Sequence, residues 1–95
     1  MDQLRGLGHA VTDELERFVR AEGRIEPDDP AFDRGIDLFK GGYLDSLGVV
    51  HLVAHIEDRY GIVLTDDELS DPGFVSVDGI GAVVEAAVRR AGLAG

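Results

Sequence analysis

Apolar residues recur at helical spacing in three separate segments, and this periodicity constrains the fold more than any other feature of the chain. Each segment places its apolar side chains on one stripe of a helix, with about 100° between successive residues. A glycine follows each segment and is a plausible helix stop. The pattern predicts an all-α fold: a small bundle of three main helices, at about residues 2–22, 46–60 and 77–91, plus one short helix at about 66–70.

Capping residues mark where these helices are expected to begin. Asp45 or Ser46 stands at the start of the second helix, and Ser76 stands before the last one. Thr65 and Glu68 have the spacing of a capping box, which predicts the short helix. The apolar stripe of the first helix consists of Leu4, Leu7, Val11, Leu15 and Phe18, and that of the last helix consists of Val77, Ile80, Val84, Ala87 and Val88.

A long connection from Arg24 to Asp45 separates the first two main helices and contains prolines, glycines and spaced apolar residues. Loops of this length in small domains are usually functional or are packed down by their own side chains. We therefore expect this first loop to be ordered and to lie over the core. Its apolar anchors are Ile25, Phe32, Ile36, Leu38, Phe39 and Leu44.

The charge balance limits the class of partner. The chain has 95 residues, enough for one domain over residues 1–95, and a formal net charge of −10. Nucleic acids and anionic membrane surfaces attract basic proteins, so neither is an expected partner. Proteins with basic patches fit this charge better.

Other classes are made less plausible by what the sequence does not contain. With no cysteine, the chain has no disulfide, no thiol nucleophile and no cysteine ligand for zinc. No apolar run approaches the roughly 18 residues of a membrane span, and the N-terminus lacks a signal-peptide layout. We expect a cytoplasmic monomer.

The second helix has apolar residues on two opposite sides. The expected core face consists of Val49, Leu52, Val53, Ile56 and Tyr60. The opposite side carries a second apolar stripe, and polar residues flank it. Small apolar residues on surfaces are common, but an apolar strip with an acidic rim is also typical of a docking surface. The expected docking residues on this side are Leu47, Val50, His51, Ala54, Glu57 and Asp58.

Ser46 is the candidate reactive residue because it lies where the first loop meets the second helix. A helix cap is the commonest role of serine at such a position. A serine hydrolase is less well supported, since Leu44 occupies the glycine position of a G-x-S-x-G elbow. His51 and His55 are displaced from Ser46 by about 140° and 180° around the helix, so neither is an adjacent base. The site is incomplete as a catalytic centre.

No metal site is expected. The aspartates of the first loop do not match a calcium-loop pattern. His51 and His55 share a helical face at i, i+4 spacing, but no third ligand converges with them. Solvated histidines are the simpler interpretation.

Residues 37–48, DLFKGGYLDSLG, resemble the phosphopantetheine attachment motif of acyl and peptidyl carrier proteins. As in that family, the Asp-Ser-Leu core is followed by an apolar helix that ends in an acidic stretch and Tyr-Gly-Ile. The order of helices and the long first loop also match, so the resemblance covers nearly the whole chain. It implies a carrier protein rather than an enzyme, with the helical fold predicted above.

The resemblance also implies a role for each residue of the motif. Ser46 would be the attachment site of a 4′-phosphopantetheine arm, added from coenzyme A by a separate phosphopantetheinyl transferase that supplies the base and magnesium. Asp45 matches the acidic residue before this serine, and Leu47 matches the apolar residue that partner enzymes contact. The arm ends in a thiol that holds acyl or aminoacyl groups as thioesters, so the further partners are acyl-loading and acyl-transfer enzymes.

The Leu-Asp-Ser-Leu-Gly form of the motif is similar to stand-alone carriers of the D-alanyl and methoxymalonyl types, whereas fatty-acid carriers usually have Gly-Ala before Asp-Ser-Leu. We therefore expect a stand-alone carrier of a polyketide or nonribosomal peptide (antibiotic) pathway. The alternatives are a fatty-acid synthesis carrier and a D-alanyl carrier. From a different class, the alternative is an unmodified acidic helical interaction domain in which Ser46 is only a cap.

Overall fold

The computed structural model describes residues 3–92, and it describes side chains for residues 10–92. Four helices occur in this range: α1 (Gln3–Glu22), α2 (Ser46–Tyr60), α3 (Asp66–Leu69) and α4 (Val77–Arg90). No strand is present among residues 3–92, which confirms the all-α prediction. None of the described helices is long and apolar enough to cross a membrane.

The core is built mainly where α4 packs along α1. Val11, Leu15 and Val19 of α1 are fully buried, and so are Ile80 and Val84 of α4. The predicted stripe of α4 is confirmed, since each of its five members is buried. Two members of the predicted α1 stripe, residues 4 and 7, lie outside the described side chains.

Close packing between α1 and α4 depends on a glycine. A β-carbon at Gly81 would lie 2.7 Å from Thr12 Cγ2, which is nearer than non-bonded carbons approach. Gly81 therefore lets the two helices come together, although glycine is a poor helix former. This contact fixes the scaffold against which α2 is placed.

The helix α2 packs against this scaffold through a narrow face. Leu52 and Ile56 are fully buried, as predicted. The buried face is narrower than predicted, because Val49, Val53 and Tyr60 are only half-buried. The difference arises because α2 lies at the edge of the bundle. Only the side chains at the centre of its apolar face are fully covered by the rest of the protein.

The first loop is ordered and lies over the core, as predicted. Leu38 is fully buried, and its backbone N–H donates to the Val75 carbonyl oxygen at 2.8 Å. The Arg34 carbonyl oxygen accepts from the Asp78 N–H at 2.9 Å, which ties the loop to the start of α4. These bonds give the loop a fixed position next to the start of α2.

The helix α1 ends at Glu22, directly before Gly23, as predicted. The left-handed residue that follows is Arg24, with φ of 52°, and not the glycine. The Ile25 and Arg24 N–H groups donate to the carbonyl oxygens of Arg20 and Ala21, which is the Schellman pattern. Gly23 has another function: a β-carbon there would lie 2.6 Å from the Tyr43 carbonyl oxygen. The glycine allows the first loop to approach α1, and an arginine takes the conformation that favours glycine.

Candidate functional site

Ser46 is the first residue of α2, and its hydroxyl is not the cap of that helix. Asp45 is the N-cap, with extended backbone and with Oδ1 accepting from the Gly48 N–H at 2.9 Å. Of the two caps that the sequence allowed, the structure therefore selects Asp45. Ser46 is exposed, and among the described residues its hydroxyl makes no side-chain hydrogen bond. An exposed serine at a helix start, free of a capping role, is open to an incoming reactant.

The two histidines of α2 are bound to glutamates of α1. His51 Nδ1 lies 2.8 Å from Glu22 Oε2, and His55 Nε2 lies 3.0 Å from Glu14 Oε2. The His55 ring also stacks on Phe18 with centroids 4.3 Å apart. His51 is exposed, as expected, and His55 is half-buried, but the sequence did not predict their bonds to glutamates. Both side chains fasten α2 to α1, and neither is arranged as a base for Ser46.

Among the described residues, no three carboxylate or imidazole side chains converge in a way that could hold a metal ion.

The second apolar stripe of α2 points away from the core, as the sequence predicts. Leu47 is 61% exposed and Val50 is 62% exposed, and Ala54 is exposed beside them. We call these three residues the outer strip. They begin one position after Ser46 and continue for two helical turns. The outer strip therefore leads directly away from the candidate attachment serine.

The polar residues around the outer strip are not equivalent. Asp58 is exposed, and the His51 side chain remains 49% exposed despite its bond to Glu22. Glu57 is half-buried, and its Oε2 accepts from the Leu64 N–H at 3.0 Å. This carboxylate holds the segment after α2 in place, so it is a weaker candidate for docking than the sequence suggested.

An apolar groove of about 640 Å³ lies beside the outer strip, between α2, α3 and the first loop. Phe39 of the first loop and Phe74 of the loop between α3 and α4 line two sides of the groove. Half-buried Val49 and Val53 form the wall contributed by α2. Sequence reasoning missed this groove. The sequence does contain apolar residues outside the main helices, Phe39, Phe74 and Leu69, that line the groove. Helical periodicity does not show which of these side chains lie next to each other. The lining residues are Phe39, Val49, Val50, Val53, Leu69, Ser70, Asp71, Pro72, Phe74 and Val75.

A second cavity of about 360 Å³ lies on the other side of α2, where the end of α1 meets the first loop. We call it the polar cleft. Asp45 and Leu47, the two neighbours of Ser46, line it together with Glu22 and Arg24. The remaining lining residues are Gly23, Gly42, Tyr43, Leu44 and Gly48.

The wall of the polar cleft is held by an aromatic cluster in the first loop. Tyr43 Oη donates to Asp29 Oδ2 at 3.0 Å, and its ring meets Phe32 edge-on at 5.6 Å. The Arg20 guanidinium lies 4.5 Å over the Phe32 ring. Desolvation raises the pKa of the Tyr43 phenol, and the nearby Asp29 carboxylate raises it further. Both effects favour the protonated phenol, which is the form that donates to Asp29.

One of the comparisons with known proteins gives a match. Residues 9–77 match the model of a protein family described as "Phosphopantetheine attachment site". Comparisons with curated proteins and with solved structures each gave no match. The family match spans most of the chain, from α1 to the start of α4, and includes the first loop and all of α2. Domains of this family are carriers of a 4′-phosphopantetheine group and are not catalysts, and the chain belongs to this phosphopantetheine attachment family.

Proposed function

We propose that Ser46 carries the 4′-phosphopantetheine group. The observation that carries this assignment is the division of roles at the start of α2, where Asp45 caps the helix and the Ser46 hydroxyl stays exposed. The other two serines fit less well. Ser76 is buried, and its Oγ accepts from the Gly79 N–H at 3.0 Å as the cap of α4. Ser70 is exposed, but it follows α3 in the sequence and is not part of the motif at residues 37–48.

Attachment requires chemistry that a partner enzyme supplies. Ser46 Oγ attacks the phosphorus of coenzyme A that bears the pantetheine portion, forming a new P–O bond and releasing the nucleotide portion. The hydroxyl proton passes to a base of the phosphopantetheinyl transferase. A base supplied by the partner enzyme fits the structure, because both histidines of α2 are bound to glutamates and neither serves Ser46. Once attached, the group supplies a terminal thiol that holds cargo as a thioester.

We propose that the outer strip is the surface that this transferase and the acyl-loading and acyl-transfer enzymes contact. Exposed apolar side chains with an acidic rim suit a partner that has an apolar patch surrounded by cations. The net charge of −10 would speed such encounters and make them sensitive to salt. The strip residues are Leu47, Val50 and Ala54, and the rim residues are Asp45, His51, Glu57 and Asp58.

We propose that the cargo is an acyl group with an apolar chain, in a polyketide pathway of the cytoplasm. The pathway is supported by the Leu-Asp-Ser-Leu-Gly form of the motif, and the cargo is supported by the apolar groove. A groove of about 640 Å³ lined by two phenylalanines suits an alkyl chain, whereas a charged aminoacyl group would lose hydration there. This favours a polyketide or fatty-acid carrier over a D-alanyl carrier.

Cargo preference is tested by loading the arm with different groups. A transferase that accepts acyl-coenzyme A can install a hexanoyl or an alanyl arm in one step. Backbone amide resonances of Phe74 and Val75 should move with the hexanoyl arm and stay in place with the alanyl arm. If both cargoes leave these amides unchanged, the groove does not bind the cargo.

The attachment itself is tested by intact mass after incubation with coenzyme A and a broad-specificity transferase. Wild type should gain one phosphopantetheine, Ser46→Ala should gain none, and the matched control Ser70→Ala should gain one. If Ser46→Ala were modified, Ser46 would not be the site. If wild type were not modified at all, an unmodified acidic interaction domain would be the better account of this chain.

A further inference from the structure

Six of the seven arginines within residues 10–92 are paired with carboxylates. Arg17, Arg20, Arg34 and Arg90 lie 2.6–3.0 Å from a glutamate or aspartate oxygen, and Arg59 and Arg89 lie within 4.0 Å of one. Over the side chains of residues 10–92, two cations have no acidic partner: Arg24 and Lys40. With 19 acidic residues in the chain, such cations stand out.

Arg24 differs from Lys40 in its position and in its backbone. It lines the polar cleft together with Asp45 and Leu47, which flank Ser46, whereas Lys40 lies outside that cleft. Its φ of 52° is a conformation that favours glycine and is disfavoured for arginine. Residues held in such conformations are often functional, because glycine would be more stable there. An arginine therefore occupies a position where the helix end prefers glycine, in a cleft that both neighbours of Ser46 line.

The carboxylates of the same cleft are already engaged. Glu22 Oε2 lies 2.8 Å from His51 Nδ1, and Asp45 Oδ1 accepts the capping bond from the Gly48 N–H. Neither forms an ion pair with Arg24. The start of α2 adds partial positive charge at Ser46 from its helix dipole. An anion bound to Ser46 would thus lie at the start of α2, next to the cleft that Arg24 lines.

We propose that Arg24 binds the phosphodiester that is formed on Ser46. This rests on the proposed function, because the phosphodiester exists only if Ser46 carries the group. Guanidinium groups bind phosphate oxygens through charge-assisted hydrogen bonds, often two at a time. The contact fixes only the phosphodiester end of the arm, at the edge of the polar cleft.

The test reads the phosphodiester directly by ³¹P NMR of the modified protein. Wild type is compared with Arg24→Gln, Arg24→Lys and the matched control Lys40→Gln, each converted with coenzyme A and checked by intact mass. The reference is the ³¹P resonance of the same modified protein unfolded in urea. In wild type we expect a resonance displaced from this reference, and in Arg24→Gln we expect most of the displacement to be lost.

The two other variants separate charge from a general structural effect. Arg24→Lys keeps the charge and should retain a large part of the displacement, and Lys40→Gln should match wild type. High salt should reduce the displacement in wild type, because the contact is exposed to solvent. If Arg24→Gln has too little folded protein, Arg24→Gly replaces it, since glycine suits the left-handed backbone and should melt no lower than wild type.

Backbone amides give an independent readout. Conversion from the unmodified to the modified protein should shift the Gly23 and Arg24 amides, which lie far from Ser46 in sequence, and these shifts should be lost in Arg24→Gln. Equal ³¹P resonances in wild type and Arg24→Gln, or an equal change in Lys40→Gln, would overturn the inference. A normal mass gain with such a result leaves Ser46 as the attachment site, whereas no mass gain refutes the proposed function itself.

Discussion

The helices α4 and α2 both lie against α1, but they are attached to it by different interactions. α4 buries seven of its fourteen residues, whereas α2 buries three of its fifteen. α2 is instead fastened by polar pairs, His51 with Glu22 and His55 with Glu14. The first loop is attached in the same polar way, through Arg34, whose guanidinium reaches Asp13 and Glu16.

This difference separates the scaffold from the surface that meets partners. A helix buried along one face has few side chains left for recognition, while a helix held at its edges by polar pairs keeps its outer side free. Elements that bind partners commonly belong to the less buried part of a fold. The α1–α4 pair therefore provides the stability, and α2 presents Ser46 and the outer strip.

The largest expected effect is on stability, at the fully buried residues that join each helix to the core. Ile80 of α4 and Ile56 of α2 are fully buried, so Ile80→Ala and Ile56→Ala should each lower the free energy of unfolding by about 2–5 kcal/mol. The matched control is Val50→Ala on the outer strip, which should change it by no more than about 0.5 kcal/mol. Urea unfolding followed by circular dichroism measures all three. A loss at Val50 comparable to that at Ile56 would show that the two faces of α2 have been assigned wrongly.

Acid should weaken the polar attachment of the first loop. Hydrogen bonds from Arg20 and then Arg34 hold the pKa of Glu16 below its ordinary value. Because the pKa is lowered in the folded state, the stabilisation is fully present above the pKa of the unfolded chain, about 4.3, and is lost as pH falls through the lower folded value.

The variant Glu16→Gln isolates this contribution from the general change in net charge. Wild type should be more stable than Glu16→Gln at neutral pH, and the difference should shrink as the pH falls below about 4.3. Melting temperatures of both proteins over this pH range provide the measurement. A difference that stays constant down to strongly acidic pH would mean that the Glu16 ion pairs do not stabilise the fold.

The outer strip should matter for recognition and hardly at all for folding. Val50→Asp should leave the melting temperature nearly unchanged, since surface substitutions usually change stability by no more than about 0.5 kcal/mol. The same change should slow phosphopantetheine transfer severalfold, because a carboxylate replaces an apolar contact. Val63→Asp is the matched control: Val63 is also exposed, but it lies after α2, so neither the melt nor the rate should change. Equal rates for Val50→Asp and wild type would remove the outer strip from the docking surface.

Much of the fold could be predicted from the sequence because its helices follow strong local signals. α2 begins at Ser46 and ends at Tyr60, as predicted, and Thr65 and Glu68 form the predicted capping box. The helix α1 also ends before Gly23, as predicted, but local signals did not predict which residue is left-handed there. The missing side chain of Gly23 makes room for the Tyr43 carbonyl oxygen, and Arg24 takes the left-handed position.

The candidate site was only partly predictable for the same reason. The exposure of Leu47 and Val50 follows from the angle between two faces of one helix, which the sequence contains. The apolar groove, the polar cleft and the partners of His51 and His55 depend on which residues of other segments lie opposite α2. Periodicity within one segment carries no information about those contacts.

The most direct test of the account is to locate the phosphopantetheine group on the wild-type protein by peptide mass spectrometry. Trypsin cleavage after Lys40 and Arg59 releases residues 41–59, which contain Ser46 as their one serine, whereas Ser70 and Ser76 lie in residues 60–89. We expect the added mass on residues 41–59, with fragment ions assigning it to Ser46. The same mass on residues 60–89, or an unmodified 41–59 peptide from protein that has gained the group, would contradict the central claim.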